Sequence, residues 1–410
     1  MSMSFNPLIT RFTLSFEMRK VKEGLDKVVE EQKNFNFLHL IDTRQSVNIK
    51  NQETSVVSSD KVDMVGRESE QRRVLNLVLQ KDSQTKISII PIVGLGGMGK
   101  TTLAKSVFNA KETNMFDVKA WVHVSMEFDV KKIVASIISH IEVTFQANDA
   151  TLQNLNSRIE RILSGKIYFI VLDDMWETRG DSLDNLMKML QYGNEGSKII
   201  VTTRSDQVPT ALSIIRTSEY HIVSPTKLKA LSSDDCFSII NPSMQGRNRL
   251  DVDLIKIGEE IAKKCGGVPL VAKALGYVMN KHCTKESWKA LKDSNILEIK
   301  DDDYRIMRRL MLSYYPMPSL QKLCFMYCSI FPKGHNIDHD SLIHQWVALG
   351  FIQDAHEAPL HLIGQEYIND FLGMSFLSLS TTPEVSCIRH IIVLLYILFS
   401  DFAFTDIPQS

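Results

Sequence analysis

Apolar residues gather into short continuous runs between residues 87 and 204. Ile87–Val93 reads ISIIPIV, 118–124 reads VKAWVHV, 166–174 reads KIYFIVLDD and 197–204 reads SKIIVTTR. Runs of this length, rich in Ile and Val, predict strands buried on both faces of a parallel sheet. The segments between them, such as 129–143 and 180–191, carry a helical repeat. Strand and helix in alternation predict an α/β doubly wound parallel sheet. In such a sheet the ligand site lies at the carboxyl ends of the strands.

The flanks follow other patterns. In 15–38, Met18, Val21, Leu25, Val28 and Phe35 recur at spacings of three and four, with Gln32 filling one seam position. That predicts one amphipathic helix packed on a neighbour in preference to a self-associating coil, because the seam is short. Residues 41–62 are polar and read as a linker. Beyond about 229 the strand runs stop. The stretch DLIKIGEEIAKKCGGVPLVAKALGYVM reads as a helix, a break at Gly266 and Gly267, and a second helix opened by Pro269. Proline suits that first turn because the missing N–H costs nothing there. SLIHQWVALGFI sets Leu342, Ile343, Trp346, Val347 and Leu349 on or near one helix face, a core pattern. No internal repeat is visible, and no leucine-rich array.

Totals narrow the class. A chain of 410 residues has room for about three domains. Lys and Arg total 47 against 48 for Asp and Glu, a net charge of −1, so no nucleic-acid partner is expected. Six scattered cysteines, with no C-x-x-C, suit a reduced intracellular protein. Cys324, Cys328, His335 and His339 are spaced too closely for the common zinc finger, and the cysteine pair reads as a buried helix face. No signal peptide is evident, and no transmembrane segment is expected. The longest apolar run, IIVLLYILF from Ile391, is about half of what a bilayer needs.

Between the first strand and its helix lies GLGGMGKTT, Gly94 to Thr102. Gly94, Gly99, Lys100 and Thr101 meet the pattern G-x-x-x-x-G-K-[ST], in the strand–loop–helix context that a phosphate-binding loop needs. The candidate nucleotide-binding set is Gly94, Gly96, Gly97, Met98, Gly99, Lys100, Thr101 and Thr102. Glycines let the backbone come close to phosphates, and the helix N-terminus adds partial positive charge. Lys100 is expected to reach the β- and γ-phosphates, and the Thr101 hydroxyl to hold Mg²⁺. FIVLDD ends a strand with two carboxylates. Asp173 is expected to hold Mg²⁺ with Thr101, and Asp174 to orient or deprotonate water as the catalytic candidate. Arg204 ends the next strand at the same face and is the candidate sensor of a γ-phosphate.

VGRE (65–68), GLGGMGKTT (94–102), FDVKAWVHVS (116–125), FIVLDDMW (169–176), GSKIIVTTR (196–204), CGGVPLVAKALG (265–276) and LCFMYCSIFPKG (323–334) occur in this order. Together they closely resemble the NB-ARC module of plant disease-resistance proteins, over about residues 63–350. Trp176, after the acidic pair, resembles the coiled-coil subclass. The resemblance implies a coiled-coil remnant (1–40), a linker (41–62), a P-loop nucleotide-binding domain (63–228), a helical subdomain (229–300), a winged-helix subdomain (301–393) and an apolar tail (394–410). It implies ADP in an off state, ATP with Mg²⁺ in an on state, and at most a slow ATPase. Partners would be other immune proteins or further copies of the chain, in the cytoplasm, at or off the plasma membrane. By the same resemblance Pro269 and Leu270 contact the adenine region and Val65 lies near the base.

Three features depart from the family. The coiled-coil domain is mostly missing, the leucine-rich repeats are absent, and the Met-His-Asp block has only IRHIIV as its counterpart. There His390 is in register and Ile391 stands where the aspartate belongs. The chain therefore reads as a truncated or divergent member. Two rival readings stay open: a dedicated P-loop ATPase or kinase, and a degenerate decoy that binds partners without switching.

Overall fold

The computed structural model describes residues 64–390 apart from 81–85, 125–127, 143–144, 146–150, 216–218, 241–251, 283, 294–312, 315, 332–334, 353–358 and 380–386. The proposed seam helix at 15–38, the linker and the apolar tail lie outside these residues.

Six strands make the first sheet: β1 (Ile87–Val93), β2 (Val118–His123), β3 (Tyr168–Met175), β4 (Ser197–Thr203), β5 (Tyr220–Ile222) and β6 (Thr226–Lys227). Their order is β2-β3-β4-β1-β5, with β6 also pairing β1, and every pairing is parallel. Every residue of β1, β3 and β4 is buried. Continuous apolar runs are what a strand covered on both faces requires, since neither face meets water. The covering helices are α1 (Glu68–Leu79), α2 (Lys100–Phe108), α3 (Val130–Ile141), α4 (Leu152–Leu163), α5 (Gly180–Leu190) and α6 (Gln207–Ile214). Two of them start at sequence-encoded caps. Asp129 accepts from the Lys132 N–H and Thr151 from the Asn154 N–H, each at 3.2 Å.

The strand order has one consequence for function. β4 lies between β1 and β3. Whatever follows β4 therefore stands between the loop after β1 and the acidic end of β3.

After β6 the chain turns helical: α7 (Ser233–Ile240), α8 (Val252–Lys264), α9 (Pro269–Lys281) and α10 (Lys285–Asp293). Pro269 opens α9 at its first turn, as expected of a residue without an N–H. A third part holds α11 (Ser319–Tyr327), α12 (His339–Ala348) and α13 (Leu360–Gly373). Beside them runs a small antiparallel sheet of β7 (Ile337–Asp338), β9 (Cys387–His390) and β8 (Leu377–Leu379), in that spatial order. Helices on a short antiparallel sheet suit a winged helix. Trp346, Phe325 and Phe371 are buried at its centre, and their rings meet edge-on or tilted. Cys324 and Cys328 belong to this core. Burial pushes the Cys324 thiol up to about 12 and raises that of Cys328 as well, so both are held as neutral, inert thiols.

One buried carboxylate joins the last two parts. Asp370 of α13, 4% exposed, accepts from Tyr277 Oη at 2.7 Å, from Lys281 Nζ at 2.5 Å and from Gln321 Nε2 at 2.7 Å. Tyr277 and Lys281 lie on α9, and Gln321 on α11. Burial, together with the Asp370 carboxylate it donates to, raises the Tyr277 phenol well above its ordinary value. Removing the acceptor would leave Tyr277 Oη and the buried Gln321 Nε2 without it, while Lys281 keeps Glu366 at 3.3 Å. Asp370→Ala is expected to cost about 2–4 kcal/mol of stability. A urea melt that matches wild type would show that the hub carries no load.

Candidate functional site

The phosphate loop runs from the end of β1 into α2. Gly97 and Gly99 have φ of 73° and 90°, in the left-handed region that glycine alone enters freely. Gly97 has a second reason to lack a side chain. A Cβ there would meet Leu270 at 3.0 Å and Val268 at 3.3 Å. The start of α9 thus rests directly on the loop, and the Leu270 N–H donates to Gly97 O at 3.3 Å. Pro269 and Leu270 are thereby brought to the loop.

Lys100 is only 6% exposed, and its Nζ donates to Leu95 O at 2.9 Å. That bond folds the ammonium back onto its own loop. Thr101 follows it. Its hydroxyl donates to Asp173 Oδ1 at 2.8 Å. Two cis ligands of an octahedral Mg²⁺ with bonds of about 2.1 Å would stand about 3.0 Å apart. These two oxygens therefore have the spacing and the hardness for that ion.

The acidic pair is shaped by a break in the sheet. The β3–β4 register shifts between Leu172 and Met175. Asp174 inside the break has φ of 61°, a conformation that costs a non-glycine residue about 1–2 kcal/mol. In a regular strand neighbouring side chains point to opposite faces. The bulge re-aims them, so Asp173 reaches Thr101 and Asp174 reaches Arg204. Thr202 of β4 secures both: its hydroxyl donates to Asp173 Oδ1 at 2.6 Å and accepts from the Asp174 N–H at 2.8 Å. His123, ending β2, puts Nδ1 3.7 Å from Asp173 Oδ2.

Arg204 follows β4 and occupies the gap between loop and acids. Its Nε lies 3.3 Å from Asp174 Oδ1, and its Nη2 is 3.5 Å from Oδ2. The guanidinium sits over the Trp176 ring, 5.1 Å from its centroid. Its Nη1 lies 3.3 Å from where a Cβ on Gly96 would stand. Loop, acidic pair and arginine thus meet at one end of the sheet.

Sequence reasoning passed over several members of this assembly. Thr202 stands in the run IIVTTR, two residues before Arg204. Arg67 belongs to VGRE, two residues after Val65. It is 5% exposed, and its Nη2 donates to Lys229 O at 2.6 Å and to Met98 O of the loop at 3.4 Å. A buried arginine bonded to two carbonyls braces the loop from behind. Arginine immediately before a helix was the available signal. Val65 itself is half-buried. His390 ends β9, where its backbone pairs with Leu377. Ile391 and the apolar run after it lie outside the described residues.

Residues 67–248 match the NB-ARC domain, and residues 330–394 match the disease resistance protein winged helix domain. The chain belongs to the plant NB-ARC disease-resistance family. Disease resistance protein RGA2 of Solanum bulbocastanum is 32% identical over 369 residues, 89% of this chain and 37% of that protein. Disease resistance protein RPP13 of Arabidopsis thaliana is 30% identical over 322 residues, 77% of this chain and 37% of that protein. The chain thus spans about 37% of the length of these relatives. Among solved structures, Cdc6p of Pyrobaculum aerophilum is 13% identical, with 84% of this chain and 94% of that one covered, at a TM-score of 0.45. No helix among the described residues is long and apolar enough to cross a membrane.

Within this NB-ARC site the Thr202 hydroxyl is the joint between both aspartates. Thr202→Val keeps the shape and leaves the Asp174 N–H without its acceptor. A loss of about 1–3 kcal/mol is expected. Thermal unfolding of the nucleotide-free protein measures it, and an unshifted transition would show that the bridge is dispensable.

Proposed function

We propose that the chain is a nucleotide-dependent switch of plant innate immunity, off with ADP and on with ATP. The observation that carries this reading is the seat of Arg204. It engages the acidic pair at Asp174 and lies beside the loop, where a Cβ on Gly96 would come within 3.3 Å of Nη1, so it stands where a third phosphate would arrive. A γ-phosphate would compete with Asp174 for the guanidinium, and a diphosphate would leave that pair intact. The two nucleotides then favour different arrangements of the same residues, which is the requirement for a ligand to shift a conformational equilibrium.

Each residue has a task in this reading. Gly94, Gly96, Gly97, Met98, Gly99 and Thr102 supply the backbone cradle, and Lys100 supplies the buried cation. Thr101 and Asp173 would hold Mg²⁺, which when bound neutralises phosphate charge. Val65, Pro269 and Leu270 enclose the base. Asp174 orients water only after Arg204 releases it, which suits slow turnover. By the family resemblance, His390 would contact the β-phosphate of ADP and hold the winged helix over the site. Activation would engage other immune proteins or further copies of the chain, in the cytoplasm and without need of nucleic acid.

A turnover enzyme is the rival. The bidentate approach of Arg204 to Asp174 favours the switch, since a base engaged by an arginine is not free to take a proton. Lys100→Ala should abolish most binding of both nucleotides, because it removes the buried cation the loop surrounds. Arg204→Ala should weaken ATP more than ADP. Calorimetric titration of both nucleotides with Mg²⁺ reads both effects. Unchanged ADP affinity in Lys100→Ala would refute the site. Steady-state hydrolysis should run far below about 10 s⁻¹, and a rate at or above that value would favour the rival.

A further inference from the structure

We propose that Trp176 is a positioning residue for Arg204, and that its ring sets how strongly the site separates ATP from ADP. This deepens the switch reading and rests on it. In the sequence Trp176 follows the acidic pair, and its indole offers one N–H and an aromatic face but no charge for a phosphate. The structure supplies a task. Past the bulge at Asp173 and Asp174, the chain turns so that the half-buried indole lies under the guanidinium, 5.1 Å from ring centroid to Cζ.

Three contacts then define the arginine. Asp174 takes Nε and Nη2 at 3.3 and 3.5 Å, the indole supports the planar face, and Gly96 leaves room for Nη1 against the loop. The carboxylate contacts are long for charge-assisted hydrogen bonds, which run about 2.7–2.9 Å. Asp174 therefore engages the edge of the group without fixing its plane. An aromatic face restrains a guanidinium in the plane while leaving its N–H edge available, and Trp does so best. The edge that faces the loop, Nη1 beside Gly96, is the one an incoming phosphate oxygen would meet. Gly96 is part of the same arrangement, since a side chain there would crowd Nη1.

The ring therefore preorganises the cation before nucleotide arrives. Its loss would release Arg204 into several rotamers, and a γ-phosphate would have to order it again. ADP makes no such demand. Trp176 acts through Arg204, so its effect must vanish when Arg204 is gone.

The test titrates ADP and ATP, each with Mg²⁺, into wild type, Trp176→Leu, Trp176→Phe, Arg204→Ala and the Trp176→Leu/Arg204→Ala double variant. Trp176→Leu should lower ATP affinity relative to ADP by about fivefold, the scale of a cation–π contact. Trp176→Phe, which keeps a face, should restore most of that ratio. The double variant should match Arg204→Ala alone, the signature of two residues acting as one unit. A Trp176→Leu protein with the wild-type ratio, or one shifted toward ATP, overturns the proposal. So does a double variant in which the two losses simply add. Should Trp176→Leu lose ADP as well, Trp176→Met keeps apolar bulk without a ring, and an equal loss of both nucleotides there assigns Trp176 to folding and overturns the proposal. If Arg204→Ala alone leaves the ratio unchanged, the sensor reading beneath it fails first, and the two failures are told apart.

Discussion

One carboxylate oxygen, Asp173 Oδ1, holds the site together. It receives the hydroxyl of Thr101 from the loop and that of Thr202 from β4, at 2.8 and 2.6 Å. Each partner comes from a different strand–turn unit, and β3 supplies the acceptor. A buried carboxylate is costly unless its lone pairs are met, and hydrogen bonds to a charged acceptor are worth about 1.5–3 kcal/mol each. The loop after β1 and the ends of β3 and β4 are therefore fixed relative to one another before any ligand binds. Lys100 inherits its position from this, since it precedes Thr101 on the same turn of α2.

The loop is also joined to the rest of the chain by direct contact. Gly97 receives Leu270 and Val268 at the start of α9. Arg67 reaches both Met98 O and Lys229 O, tying the segment before α1 to the loop and to the start of the helical part. At the far end of α9, Tyr277 and Lys281 bind Asp370 of the winged helix. One helix thus touches the phosphate loop with its first residues and the third part of the molecule with its last turns. A change in the loop that displaced Leu270 would bear on the axis of α9. Rigid helices carry such displacements because packed interfaces hold discrete arrangements and do not deform smoothly.

The sheet and the phosphate loop were legible in the sequence because their signals are local. A run such as ISIIPIV can only satisfy burial on both faces, and Gly-Lys-Thr after it leaves little else to build. Strand order is not local. Nothing in IIVTTR says that β4 inserts between β1 and β3, and that insertion puts Arg204 against Asp174 and makes Thr202 the joint of the site. The bulge was hidden for a related reason. FIVLDDM reads as an uninterrupted strand, and only the pairing with β4 reveals the register shift. Arg67 went unnoticed because an arginine ahead of a helix is ordinarily a solvated one. Here two carbonyls from separate segments converge on it, a circumstance visible only in three dimensions.

The left-handed backbone at Asp174 shows how these constraints act together. Such a conformation persists only where its surroundings over-determine it. Thr202 takes its N–H, and Arg204 engages its carboxylate. The same strain places two adjacent carboxylates at the loop, which a flat strand could not do. Asp173 is thereby committed to the hydroxyls that a metal would join, and Asp174 to the arginine. A site built for rapid hydrolysis would keep one carboxylate uncommitted. Here the second acid is occupied by a cation that a third phosphate would itself attract. Under the proposed switch, release of the acid and recognition of the phosphate would be one event, and occupancy of the site would be coupled to its state more tightly than to its turnover.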